Sequence, residues 1–133
     1  VATGLHRGRI KHWDHFGQLV PALRERGLVP VAAPPPAEVD AVRAALPGVA
    51  LLPPVPLGVF AALAASAGVV IANDSGTSHV AAAVGVRQVT IFGVTDRRRT
   101  GPWSARAVCV GENGRWPEVT EVVAAIDKAL ALP

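Results

Sequence analysis

The sequence predicts an α/β fold, a Rossmann-like open parallel sheet of about six strands with helices on both faces. Three observations carry this. Short runs rich in Val and Ile alternate with longer, helix-compatible runs. The short runs are continuously apolar rather than alternating, which suits strands buried on both faces. Glycine follows four of the helical runs, at Gly27, Gly48, Gly68 and Gly85, where a left-handed carboxyl-terminal cap favours a residue without a side chain. With 133 residues, 50% hydrophobic and 17% charged, the chain has the length and composition of one well-buried domain and is too apolar for disorder.

In chain order, residues 1–3 are a candidate first strand. Residues 14–26 read as a helix, with Phe16, Leu19, Val20 and Leu23 at helical spacing; Pro21 removes a hydrogen bond there and predicts a kink or a later start. Residues 28–33 form the next strand candidate, followed by a proline-rich loop at 34–36 and a helix over 37–46 marked by Val39, Val42 and Leu46. Strand 49–52, helix 57–67 and strand 69–72 come next, then helix 77–84 and the strands 88–92 and 105–110. The last helix, 117–130, shows the stripe Val119, Val122, Val123, Ile126 and Leu130.

No charged residue lies between Arg43 and Asp74, yet Pro47, Pro53, Pro54 and Pro56 interrupt this stretch, and the proline-free piece at 57–73 falls short of the about 20 residues a membrane span needs. The single cysteine, Cys109, has nothing to pair with in the chain, which disfavours a disulfide-stapled exported domain and points to the cytoplasm. Position 1 is Val and the chain contains no Met, so a fragment of a longer protein is expected. Basic residues are clumped, with His6, Arg7, Arg9, Lys11 and His12 in one cluster and Arg97, Arg98 and Arg99 in another, under a net charge of +3. Aromatic residues do not alternate with them as in a stacking platform, so nucleic acid is not the expected partner.

In open parallel sheets, ligands bind beyond the carboxyl ends of the strands. Three loops qualify: 3–13, 74–79 and 93–103. In the second, Ser75, Gly76 and Thr77 form a tight turn into a helix, exposing backbone N–H groups suited to a phosphate, with His79 in the first helical turn. The alternative is that Asp74, Ser75 or Thr77 simply caps the helix. Asp74 repels an anion and is better employed accepting hydrogen bonds from a hydroxyl or a basic partner, holding the loop in shape. Neither GxGxxG nor GxxxxGK[ST] nor GxSxG occurs. His12 and His15, with His6 nearby, lack a carboxylate or cysteine at ligand spacing, so no metal site is expected.

The run VVIANDSGTSHVAAAVGVRQVTIFGVTDRRRTGPW resembles the donor-domain signature of glycosyltransferase family 9, the ADP-heptose:lipopolysaccharide heptosyltransferases. Upstream, KHWDHFGQLVPAL is similar to the family's Lys-x-Trp segment, and Ala2-Thr3 to its threonine-bearing strand end. The resemblance implies a two-domain GT-B enzyme that inverts at the transferred sugar and needs no metal, of which this chain corresponds to the carboxyl-terminal, donor-binding half. It places Ser75, Gly76, Thr77 and His79 around the donor diphosphate, Asp74 at the sugar or bracing the loop, and Glu38 near the ribose. Lys11 is implied as the cation that stabilises the leaving nucleotide, with Thr3 adding a hydroxyl and Thr95, Thr100 and Gly101 in a loop near the donor. The family's catalytic base lies in the amino-terminal half, so none is assigned here. The partners implied are a nucleotide-diphosphate sugar such as ADP-heptose, a lipopolysaccharide-type acceptor and the inner-membrane surface. A non-catalytic nucleotide- or glycan-binding module is the alternative, and a sugar-nucleotide epimerase of similar architecture a third. Residues 97–99 read either as a solvated loop or as a surface that meets acceptor phosphates or the anionic inner leaflet.

Overall fold

The computed structural model describes residues 5–6 and 9–133. A short antiparallel hairpin, β1 (Leu5–His6) with β2 (Arg9–Ile10), opens the chain. The remainder alternates strands and helices: α1 (Phe16–Glu25), β3 (Val31–Ala32), a 3-10 turn (Pro36–Glu38) leading into α2 (Val39–Ala45), β4 (Ala50–Leu51), α3 (Leu57–Ser66) and β5 (Val70–Asn73). Then follow α4 (Gly76–Ala83), β6 (Gln88–Ile91), the one-turn α5 (Arg97–Thr100), β7 (Ala107–Val110) and α6 (Val119–Leu130).

The parallel α/β architecture expected from the alternation is present. β5, β6 and β7 form a parallel sheet in that order, in which Ile71 faces Val89 and Thr90 faces Cys109 across the ladders, and β3 pairs in parallel with β4. Five parallel strands are thus described where the sequence suggested about six, and the candidate at residues 1–3 lies outside the described residues. Of the five, β6 is buried along its whole length, whereas Val31 in β3 is 51% exposed.

The main core sits on one face of the three-stranded sheet. Val89 and Ile91 of β6 meet Val122, Ala125, Ile126 and Ala129 of α6, and Trp13 and Leu19 complete the cluster. These α6 residues recur at helical spacing, so one stripe of the helix is buried while its polar side faces water. α4 packs on β5 and β6 and is in turn covered by α3. No helix among the described residues is long and apolar enough to cross a membrane.

Three of the four anticipated glycine caps hold: Gly27, Gly48 and Gly85 have φ near +71°, +75° and +70°. Gly68 is the exception. The chain already turns extended at Ala67, whose ψ is 148°, and runs directly toward β5 without a left-handed residue. The first helix begins at Phe16, two residues later than position 14, and continues through Pro21. The amide missing at Pro21 is the one that would bond the Gly17 carbonyl one turn earlier. Gly17 also sits where an added Cβ would lie 2.7 Å from the Ala45 carbonyl oxygen, so its lack of a side chain lets α1 approach the end of α2.

Candidate functional site

The site forms where β5 and β6 release the chain at their carboxyl ends. The Asp74 amide donates to the Ile91 carbonyl (3.0 Å), extending the ladder one residue beyond β5 and fixing where the carboxylate emerges. Asp74 is buried at 3% exposure, and its Oδ2 accepts hydrogen bonds from Thr95 Oγ1 (2.6 Å) and Thr100 Oγ1 (2.8 Å). Lys11 Nζ lies 3.6 Å from the same oxygen. Asp74 is therefore a brace: two hydroxyls and an ammonium consume its charge, so it presents little repulsion to an incoming anion.

Thr95 and Thr100 are held by the turn between them. Asp96 caps α5, accepting the Arg98 amide on Oδ1 (3.0 Å), and the Arg98 guanidinium folds back onto both carboxylate oxygens, which holds the Asp96 carboxyl below its ordinary value. The Gly101 amide closes the turn on the Arg97 carbonyl (2.9 Å), and a Cβ at Gly101 would lie 2.4 Å from that oxygen. Upstream, a Cβ on Gly93 would overlap the Trp116 indole, so glycine lets that ring lie across the start of the loop.

At the start of α4, Ser75 is the N-cap residue, but its Oγ is buried and makes no hydrogen bond. Ser78 Oγ instead donates to the Ser75 carbonyl (2.7 Å). The amides of Gly76 and Thr77 have no partner among the described residues, so the first turn of the helix offers two free N–H donors with the positive end of the helix dipole behind them. Gly76 is exposed, and a Cβ there would meet nothing within 4 Å. The fold does not itself need a glycine at this position, and the space above it is open. His79, one turn on, is exposed on the same helix.

The residues singled out from sequence thus fall into three groups. Lys11, Asp74, Thr95 and Thr100 are joined by direct contacts, with Gly101 closing the turn that carries Thr100. Ser75, Gly76, Thr77 and His79 share the first turn of α4 and its cap. Glu38, at the end of the 3-10 turn, is 9% exposed and close enough for its charge to act on His12. Thr3 lies outside the described residues. Among the described residues no group of three or more His, Cys, Asp or Glu side chains is placed to hold a metal ion.

Sequence reasoning did not single out Asn73. Its buried Oδ1 accepts the Trp13 amide (3.2 Å), tying the segment that carries Lys11 to the end of β5. The available signal was a polar residue closing the apolar run VVIAN.

His12, between Lys11 and Trp13, has its imidazole pKa lowered from the ordinary 6.5 chiefly by burial, against an opposing pull from Asp14, whose Oδ1 is 3.4 Å away. With the folded value below the unfolded one, the unfolded chain binds the extra proton as pH falls. Stability is therefore expected to be flat above about 6.5 with respect to this group and to decline on acidification below it. His12→Gln flattens that decline in urea unfolding measured from pH 7.5 to 5.0, and an unchanged slope would refute the assignment.

Comparison with known proteins bears on the family and the fold. Residues 4–126 match the model of glycosyltransferase family 9 (heptosyltransferase). Among solved structures, E. coli heptosyltransferase WaaC with ADP is 26% identical, with a TM-score of 0.74 over 89% of this chain and 38% of that one. E. coli ADP-heptose lps heptosyltransferase II is 23% identical, with a TM-score of 0.77 over 90% of this chain and 42% of its own. A family 9 glycosyl transferase from Veillonella parvula DSM 2008 is 20% identical, with a TM-score of 0.77 over 90% of this chain and 42% of its own, and in these last two the likeness is one of fold. The chain spans about two fifths of the length of each. No curated protein sequence matches it. With nearly its whole length matched by the family's model, this chain belongs to glycosyltransferase family 9.

Proposed function

We propose that these residues are the donor-binding, carboxyl-terminal half of an inverting GT-B glycosyltransferase that transfers a sugar, heptose from ADP-heptose, to a lipopolysaccharide-type acceptor in the cytoplasm, at the inner-membrane surface. The observation that carries the reading is the start of α4, where two amides without a partner among the described residues lie under an open space at Gly76, on the same loop as the carboxylate that holds Lys11. The donor diphosphate fits this cradle: N–H groups and the helix dipole take one phosphate, and Lys11 and His79 flank it. As the glycosidic bond breaks, negative charge grows on the departing diphosphate, and Lys11, already oriented by Asp74, stabilises it there. Thr77 supplies a hydroxyl donor, Ser75, its Oγ buried, contributes the backbone of the turn rather than the hydroxyl expected of it, and Glu38 accepts from the ribose. The carboxylate that deprotonates the acceptor belongs to the amino-terminal half and lies outside these 133 residues. No metal takes part, because the amides and Lys11 meet the phosphate charge. WaaC, solved with ADP, supports an adenine nucleotide as the donor's carrier.

Calorimetric titration tests this. ADP is expected to bind, with UDP and GDP weaker, and Lys11→Ala, His79→Ala and Gly76→Ala each weaken ADP by about tenfold, the loss of one charged or well-aligned contact. Gly76→Ala leaves the unfolding midpoint unchanged, since its methyl enters empty space, and EDTA has no effect on binding. If no nucleotide binds, or none of the three substitutions matters, the reading is wrong.

A further inference from the structure

Beside the donor cradle, an open groove of about 570 Å³ runs between α4 and the α5 turn. His79, Ala82 and Ala83 form one side, and Arg99, Thr100, Gly101 and Trp103 the other. We propose that this groove is a subsite for a phosphorylated sugar, stacked on Trp103 with its phosphate on Arg99. Its assignment to the acceptor rests on the glycosyltransferase reading above.

Four features point to that ligand. Trp103 is 97% exposed, an indole surrendered to water although the fold has a core in which to bury it. Such a side chain offers a flat apolar face with low conformational freedom, suited to the C–H face of a pyranose ring. The Arg99 guanidinium is exposed and makes no hydrogen bond or ion pair among the described residues, its charge reaching Asp96 only at longer range, whereas its neighbour Arg98 is committed to Asp96 and the Thr100 hydroxyl to Asp74. A free guanidinium fork matches phosphate oxygens in pairs. Ala82 and Ala83 give the groove depth, because their side chains end at the methyl. Finally, His79 lies both in the groove and in the first turn of α4, so an occupant abuts the donor cradle end to end.

A lipid surface is the competing partner for an exposed tryptophan among arginines. A bilayer, however, presents a plane, and binding to it scales with the apolar area that protrudes. Here the arginine and the indole rim a concavity, and Trp103 is the one large side chain of the 97–105 segment that is exposed and apolar.

The test uses tryptophan fluorescence with acrylamide quenching, in which Trp103 dominates because Trp13 is 1% exposed and Trp116 is half-buried. Glucose 6-phosphate, glucose, inorganic phosphate and vesicles of phosphatidylglycerol with phosphatidylcholine are the probes, each with and without saturating ADP. Glucose 6-phosphate is expected to protect Trp103 at millimolar concentration, about fivefold more tightly than glucose or phosphate, and to do so equally in the presence of ADP. Arg99→Gln and Trp103→Ala each weaken it about fivefold, while Trp103→Phe retains most of it, both Trp103 variants being followed by calorimetry because they lack the reporter indole. Displacement by ADP overturns the proposal, since the sugar phosphate would then have occupied the donor cradle. Protection by vesicles alone overturns it in favour of a membrane contact, and equal binding of bare phosphate overturns the sugar component. Binding of glucose 6-phosphate that depends on Trp103 in a protein that binds no nucleotide leaves the groove standing and removes the donor reading.

Discussion

Asp74→Ala is expected to destabilise the protein by about 3 kcal/mol and to abolish nucleotide binding, the first because buried donors lose a charged acceptor, the second because the loop loses its shape. The Asp74 Oδ2 is the shared acceptor of the Thr95 and Thr100 hydroxyls and the neighbour of Lys11 Nζ. Thr95 is itself 2% exposed, so water does not replace the lost acceptor without opening the loop. Asp74→Asn keeps one oxygen in place but removes the charge that strengthens the hydrogen bonds, and about half the effect is expected. The two variants separate the shape of the brace from its charge. Urea unfolding gives the stability change, ADP titration the functional one. If Asp74→Ala is as stable as the parent and binds ADP equally well, the brace has been misread. A variant that keeps its stability and loses binding would instead move Asp74 from bracing the loop to touching the ligand.

Trp13→Ala carries the second large effect, about 3–5 kcal/mol, the range for removing a buried aromatic side chain. Trp13 is 1% exposed, joins the cluster of Val89, Ile91 and Ile126, and stands edge-on to Phe16 with ring centroids 5.4 Å apart. Its Nε1–H donates to the Pro117 carbonyl (2.9 Å), stitching the segment before α1 to the one before α6. Trp13→Phe retains most of the apolar contact and leaves that carbonyl unpaired, so about 1–2 kcal/mol is expected. The tryptophan of the Lys-x-Trp segment thus acts as an anchor in the core. Its backbone amide on Asn73 and its ring in the core set the position from which Lys11 reaches Asp74. ADP affinity should therefore fall in Trp13→Ala even at temperatures where the variant remains folded, with the midpoint shift read by circular dichroism. A Trp13→Ala protein with the parent's midpoint would show that the ring is not a core residue.

How much of this could be read from the sequence depended on the range of the interaction. Helices with an apolar stripe, such as α6, follow from spacing alone, and β5 follows from the unbroken apolar run at 69–72, since both signals are local. Gly27, Gly48 and Gly85 were legible for the same reason, whereas Gly68 was not, because the residue before it had already left the helix. The β1–β2 hairpin is too short to impose a period, whereas the candidates at 28–33 and 49–52 each hold a strand, reduced to the two-residue ladder of β3 and β4. α5 falls inside the loop expected over 93–103 because a single turn shows no stripe; its sign is Asp96 ahead of three arginines, a capping residue before residues that tolerate a helix. At the site, the loop 74–79 was visible as polar residues between apolar runs. That Asp74 accepts from Thr95 and Thr100 was not, because the pairing depends on how β5 and β6 end side by side. The exposure of Trp103 has no sequence signal at all, since composition treats every tryptophan alike.

The brace at Asp74 also fixes when the site comes into being. Its hydroxyl partners lie 21 and 26 residues away along the chain, and Lys11 is further still, so none of these contacts forms until α4, β6 and the α5 turn have docked. Each loop closure costs entropy before its contacts return any, so contacts that need several closures form late. A nucleotide held by this loop therefore stabilises something assembled after the main barrier, and its effect is expected on the lifetime of the folded protein rather than on its rate of folding.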